Sequence, residues 1–155
     1  MTPTREAIDD FLRQRRIAVV GVSREPRDFS RAVLRAFAER GYDTVPVNPR
    51  ATELGGEACF ASLREVTPPV DGVLVMTPAG VTADVVRDCL AVGVKHIWLH
   101  RGAGRGAVSE TALALCREAG VAVVPGACPL MFLDKTGFAH KLHGFVLRAM
   151  GRFPH

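Results

Sequence analysis

Five short runs rich in Val, Ile and Leu recur along this chain, and none alternates with polar residues. They are 17–22, Thr44–Val47, Gly72–Met76, His96–Leu99 and Val121–Val124. A strand with one face in water alternates; a strand buried on both faces does not, so these runs read as a parallel sheet covered by helices. The segments between them carry the helical period. Phe29, Val33, Leu34 and Phe37 share one face of a helix predicted over 29–40, and Gly41 closes it. Further helices are predicted over 3–14, 77–92, 108–119 and about 137–150, with a short one near 62–66. Thr2-Pro3 and Thr77-Pro78 read as a cap and first-turn pair at two of these starts. Strands alternating with helices at such spacings suit right-handed crossovers. The expectation is a single α/β domain over 1–155, a Rossmann-like, doubly wound, five-stranded parallel sheet. Its core would span about 14–133, and 134–155 would add a C-terminal helix.

Composition narrows the function classes. At 48% hydrophobic and 23% charged residues, the chain is globular rather than disordered. No apolar run approaches the roughly 18–20 residues needed to span a bilayer, and 1–16 lacks the apolar centre of a secretory signal. A soluble cytoplasmic protein is expected. The net charge of +4 is scattered, and Tyr and Trp occur once each, which leaves few platforms for stacking bases. Nucleic acid is therefore not an expected partner. Cys59, Cys89, Cys116 and Cys128 form no C-x-x-C pair. Cys89 and Cys116 fall on apolar helix faces and read as core residues.

The first apolar run ends in Gly21-Val22-Ser23, then a polar loop, then a helix. Strand, glycine turn and helix together aim backbone N–H groups at a phosphate. In the dinucleotide fingerprint G-x-G-x-x-G the second and third glycines would stand at 23 and 26. Here they are Ser23 and Pro26. Ser23, Arg24, Arg27, Ser30 and Arg31 crowd the entry to the next helix, where hydroxyls, guanidinium groups and the helix dipole favour an anion. The plainer reading is a tight turn at Gly21 and a helix cap at Ser23.

Ligands of open α/β sheets bind beyond the carboxyl ends of the strands. A strand order of 3-2-1-4-5 would put the switch point between strands one and four, beside the loops 21–28 and 100–106. Asn48-Pro49-Arg50 and Thr77-Pro78-Ala79 follow strands two and three on the same edge. The end of strand two discriminates cofactors. An NAD site would usually carry an acid there for the ribose diol. This chain has Asn48, Pro49 and the cation Arg50. That disfavours NAD and permits an additional ribose phosphate, as in NADP or coenzyme A, between which the local chemistry does not choose.

Taken in order, Gly21-Val22-Ser23, Pro46-Val47-Asn48-Pro49, Gly56, Val70-Asp71-Gly72-Val73, Trp98-Leu99 and Cys128-Pro129 resemble the small stand-alone CoA-binding-domain proteins. These are similar in turn to the N-terminal CoA-binding domain of the succinyl-CoA synthetase alpha subunit. The resemblance covers roughly 14–133. It implies that Gly21, Val22 and Ser23 approach the CoA diphosphate with Arg24 and Ser30 nearby. Asn48, Pro49 and Arg50 would face the adenosine ribose and its 3′-phosphate; family members often have Lys where Arg50 stands. Thr77, Pro78 and Ala79 would line the adenine or diphosphate side, and Arg101-Gly102 would lie across the pantetheine exit. The longer glycine run after Gly102 departs from the family pattern.

No catalytic constellation stands out. A synthetase of this kind needs a phosphorylatable histidine from a second domain. Cys128 would lie near the sheet edge, where exchange with a CoA thiol competes with a plain structural role. His140 and His143 share neighbouring helix faces without a third metal ligand, and His100 flanks the crevice with no assigned role. The leading expectation is non-catalytic binding of CoA or an acyl-CoA, as a carrier, sensor or regulatory subunit. The alternatives are an NADP-dependent oxidoreductase or its cofactor-binding fragment, and an interaction module without ligand. Phe138, Leu142, Phe145, Val146 and Met150 suit packing on the core or on a second copy, which leaves a homodimer open.

Overall fold

The computed structural model describes residues 1–102 and 104–133. Its centre is a five-stranded parallel sheet of β1 (Arg16–Val20), β2 (Asp43–Val47), β5 (Gly72–Val75), β6 (His96–Leu99) and β7 (Ala122–Pro125). A hairpin of β3 (Glu53–Leu54) and β4 (Glu57–Ala58) turns through Gly55-Gly56 between β2 and β5, followed by a 3-10 turn at Leu63–Glu65. Helices α1 (Arg5–Leu12), α2 (Phe29–Glu39), α3 (Ala79–Ala91), α4 (Glu110–Ala119) and α5 (Leu130–Leu133) complete the described chain. The sheet of the expected class is present with helices on both faces. The hairpin and α5 extend the prediction. The helix expected over 137–150, with its apolar residues and His140 and His143, lies outside the described residues.

Because both faces are covered, consecutive strand residues enter different cores. Ala18, Val20, Val73, Val75, Ile97 and Leu99 pack with Val86 and Cys89 of α3 and with Leu113 and Cys116 of α4. Ile17, Val19, Leu74 and Trp98 pack on the opposite face with Phe11 of α1, Val33 and Phe37 of α2 and Leu133 of α5. Trp98 anchors this second core. Its ring meets the Phe11 ring edge-on at 5.3 Å, and its indole N–H donates to the Ala127 carbonyl at 3.0 Å. Truncating such a buried ring to alanine typically costs about 3–5 kcal/mol.

The order across the sheet is β2-β1-β5-β6-β7. With the hairpin set aside this is 2-1-3-4-5, not 3-2-1-4-5, so the switch point lies between β1 and β5. The connection from β2 doubles back across β1 one strand earlier than expected, carrying the hairpin and the 3-10 turn where a full helix would otherwise cross. Leu63 of that turn joins the α3 side of the core. Helix entries also differ from expectation. Thr4, not Thr2, caps α1 by accepting from the Ala7 amide at 3.1 Å. Pro78 precedes α3 with no side-chain cap, and the Thr77 hydroxyl instead pairs with that of Thr82 at 3.1 Å.

Candidate functional site

The parallel strands end together, which gathers the loops after β1, β2, β5 and β6 on one edge. Gly21 sets their spacing. Its φ is +99°, and a Cβ there would stand 2.9 Å from the Met76 carbonyl carbon and oxygen. Only a residue without a side chain lets the first loop lie against the third this closely. The Gly21 amide donates to the Val47 carbonyl at 3.1 Å, so it is occupied within the sheet edge.

The first loop satisfies much of its own polarity. Ser30 is buried; its hydroxyl accepts from the Ser23 amide at 2.9 Å and donates to the Asp28 carboxylate at 2.6 Å. Asp28 also accepts from the Ser30 amide at 2.8 Å and is thus the cap of α2. Those two bonds hold its carboxyl below the ordinary aspartate range. Ser23 is not the helix cap; its hydroxyl accepts from the Glu25 amide at 3.0 Å. The Val22 side chain is fully buried, so only its backbone belongs to the site. Arg31 binds the loop from below, donating to the Arg24 carbonyl at 3.2 Å.

Asn48 joins the first and second loops. Its amide nitrogen donates to the Val22 carbonyl at 2.7 Å, while its amide oxygen accepts from the Arg50 amide at 2.7 Å. Asn48 is therefore a clamp between strand ends, an interaction that a carboxylate at this position would not make, since it has no donor. Beside it opens a cavity of about 500 Å³ lined by Ser23, Arg24, Glu25, Asn48 and Arg50. Both arginines are exposed, and their guanidinium groups have no partner among the described residues. Two free cations at the carboxyl edge of β1 and β2 suit an anion. Glu25 is the opposing charge in the same cavity.

Pro49 turns the other way. With Val20, Gly21, Val47, Leu63, Thr77, Val81 and Val85 it lines a mainly apolar cavity of about 250 Å³ between the strand ends and α3. A flat heteroaromatic group fits such a slot by chemistry: apolar walls with few polar groups at the rim. The Leu63, Val81 and Val85 walls come from the crossover and from one face of α3.

The third and fourth loops frame a cavity of about 760 Å³, lined by Ala79, Gly80, Arg101, Gly102, Gly104, Arg105 and the entry to α4. Arg101 is held across it, with Nε donating to the Gly104 carbonyl and the backbone amide donating to Ala127, each at 3.0 Å. The unusual glycines of this loop have a geometric reason. The loop folds back so that Ala107 donates to the His100 carbonyl at 2.8 Å, and a Cβ on Gly106 would lie 2.4 Å from that oxygen. Arg101 and Gly102 also line an adjoining cavity of about 500 Å³ with Gly126, Ala127 and Cys128, and Thr2 and Pro3 contribute to its wall. Cys59, Cys89 and Cys116 are buried, and burial raises the Cys116 thiol to about 11. Among the described residues no three of His, Cys, Asp and Glu cluster as a metal site, and no helix is long and apolar enough to cross a membrane.

A family model described as CoA binding domain matches residues 15–134. The chain belongs to the CoA binding domain family. Within this family's range of relatives, it is 33% identical over 127 residues to the uncharacterized protein YneT of Bacillus subtilis, covering 81% of this chain and 91% of that one. It is 30% identical over 91 residues to the alpha subunit of an ADP-forming acetate–CoA ligase II of Pyrococcus furiosus, 58% of this chain but 20% of the ligase subunit. Among solved structures, a hypothetical protein from Pyrococcus horikoshii superposes with a TM-score of 0.76 at 27% identity, covering 85% of this chain and 90% of the other. The CoA binding domain chain thus shares its fold with a small protein of nearly its own extent.

Proposed function

We propose that this chain binds coenzyme A or an acyl-CoA without transforming it, in a carrier, sensor or regulatory role. The observation that carries the reading is a pair of cavities served by the loop after β2: an apolar slot that Pro49 lines, and a second that its neighbours Asn48 and Arg50 line with Arg24. Adenine takes the slot. The 3′-phosphate on its ribose reaches Arg50 and Arg24. The diphosphate runs past Gly21–Ser23 toward Thr77, Pro78 and Ala79, and the pantetheine arm leaves across Arg101 and Gly102. Membership of the CoA binding domain family supports the choice of CoA over NADP. In this reading Ser30 and Asn48 shape the site rather than touch the phosphates, because their polar groups are committed to the loops.

Calorimetry with CoA, dephospho-CoA, NADP and NAD tests the assignment, and CoA should bind most tightly. Tighter binding of NADP would overturn it. Arg50→Ala should weaken CoA about tenfold, the scale of one solvent-exposed charge-assisted bond, and leave dephospho-CoA nearly unchanged. Equal losses for both ligands would remove the 3′-phosphate role from Arg50.

A further inference from the structure

His100 ends β6 with its backbone fully used: the amide donates to Val75 and the carbonyl accepts from Ala107. Its side chain is the exception. The Nε2 atom is shielded from solvent and has no hydrogen-bond partner among the described residues. Most buried polar atoms are paired, and an orphan costs on the order of 1–3 kcal/mol. Burial lowers the pKa of this imidazole, so the ring is neutral near pH 7, with one donor and one acceptor to offer.

The ring's neighbours place it on the ligand's path. Phe29, the first residue of α2, lies against it with centroids 5.7 Å apart, although the phenyl group is itself 50% exposed. On another side the Cβ position of Gly102 is 3.7 Å from Cε1. Gly102 lines both the large cavity beside α3 and the cavity that holds Cys128. His100 therefore packs between the start of α2 and a glycine that lines both cavities.

We propose that Nε2 of His100 hydrogen-bonds an amide of the pantetheine arm, with the Phe29 ring swinging off the imidazole to cover the arm's methylenes. The inference rests on the CoA reading above. The arm joins a charged diphosphate to a thiol through neutral amides, and a neutral imidazole in an apolar setting matches an amide where a cation would not discriminate it from water. Phe29 has the freedom the step needs, because half of its surface faces solvent.

The test compares CoA with adenosine 3′,5′-bisphosphate, which lacks the arm, on the wild-type chain, His100→Leu and His100→Gln. His100→Leu should lose about tenfold in CoA affinity, the scale of one buried hydrogen bond, and keep its affinity for the bisphosphate. His100→Gln, which retains a donor and an acceptor, should recover most of the loss. Unchanged CoA binding by His100→Leu, or equal losses for both ligands, would overturn the role of His100 while leaving the CoA reading intact. A wild-type chain that binds NADP more tightly than CoA would overturn both.

Discussion

The starts of α2 and α3 both lie at the carboxyl edge of this sheet, and they differ in how their amides are satisfied. The start of α2 is closed: Asp28 caps it, the Ser30 hydroxyl is spent on Asp28 and Ser23, and the Gly21 amide is spent on Val47. The start of α3 has no side-chain cap, and Ala79 and Gly80 line the 760 Å³ cavity with Arg101 and Arg105. Helix starts attract anions through free N–H groups and the dipole, and a carboxylate already seated on one competes with any phosphate. Gly21 and Ser23 thus mark where the chain turns, while their amides are already taken by Val47 and Ser30. In this molecule the first loop closes on its own hydrogen bonds, and the third leads into a helix start without a side-chain cap.

The closed loop is tightest at Gly21. Gly21→Ala would force a Cβ to within 2.9 Å of the Met76 backbone in a conformation with φ of +99°. The expected loss is about 2–4 kcal/mol of unfolding free energy, because backbone atoms at such a contact have little room to yield. Urea denaturation followed by circular dichroism reads it. A loss within experimental scatter would mean that the β1 and β5 loops part easily, and the first loop would no longer count as rigid.

Asp28→Ala is the next largest. Removing the cap should cost about 1 kcal/mol in the same denaturation assay. It also uncovers the start of α2 and releases the Ser30 hydroxyl, so CoA affinity should rise a few-fold by calorimetry. A fall in affinity instead would show that Asp28 holds the loop in its binding shape rather than keeping phosphate off the helix.

Much of this arrangement was legible in the sequence, for reasons that can be named. Unbroken runs such as Val19-Val20 and Val73-Leu74-Val75 announce burial on both faces, since their neighbours feed different cores. Gly21 between an apolar run and a helical period announces the tight turn from β1 toward α2. Strand order was not legible, because β-propensity and periodicity are local while the return of the chain across β1 is set by what the crossover packs against. The hydrogen bonds of Ser30 and Asn48 were hidden for a related reason: their partners, Asp28, Val22 and the Arg50 amide, are brought to them by the fold. The unpartnered state of His100 Nε2 gave no signal, since burial of a single ring atom is a property of the packed fold rather than of local sequence.

The smallest effect tests the open helix, and it should separate stability from binding by sign. Gly80 lies in the first turn of α3, and a Cβ added there would meet nothing within 4 Å. Glycine is a poor helix residue because its backbone loses more freedom on folding, so Gly80→Ala should stabilise the protein by about 0.5 kcal/mol. The same methyl group points into space beside the uncapped amides, where a diphosphate would come closest to the backbone. CoA affinity should therefore fall while the unfolding midpoint rises. If both rise together, the ligand does not approach α3 at its start, and the cavity beside Arg101 and Arg105 serves some other part of the molecule that binds there.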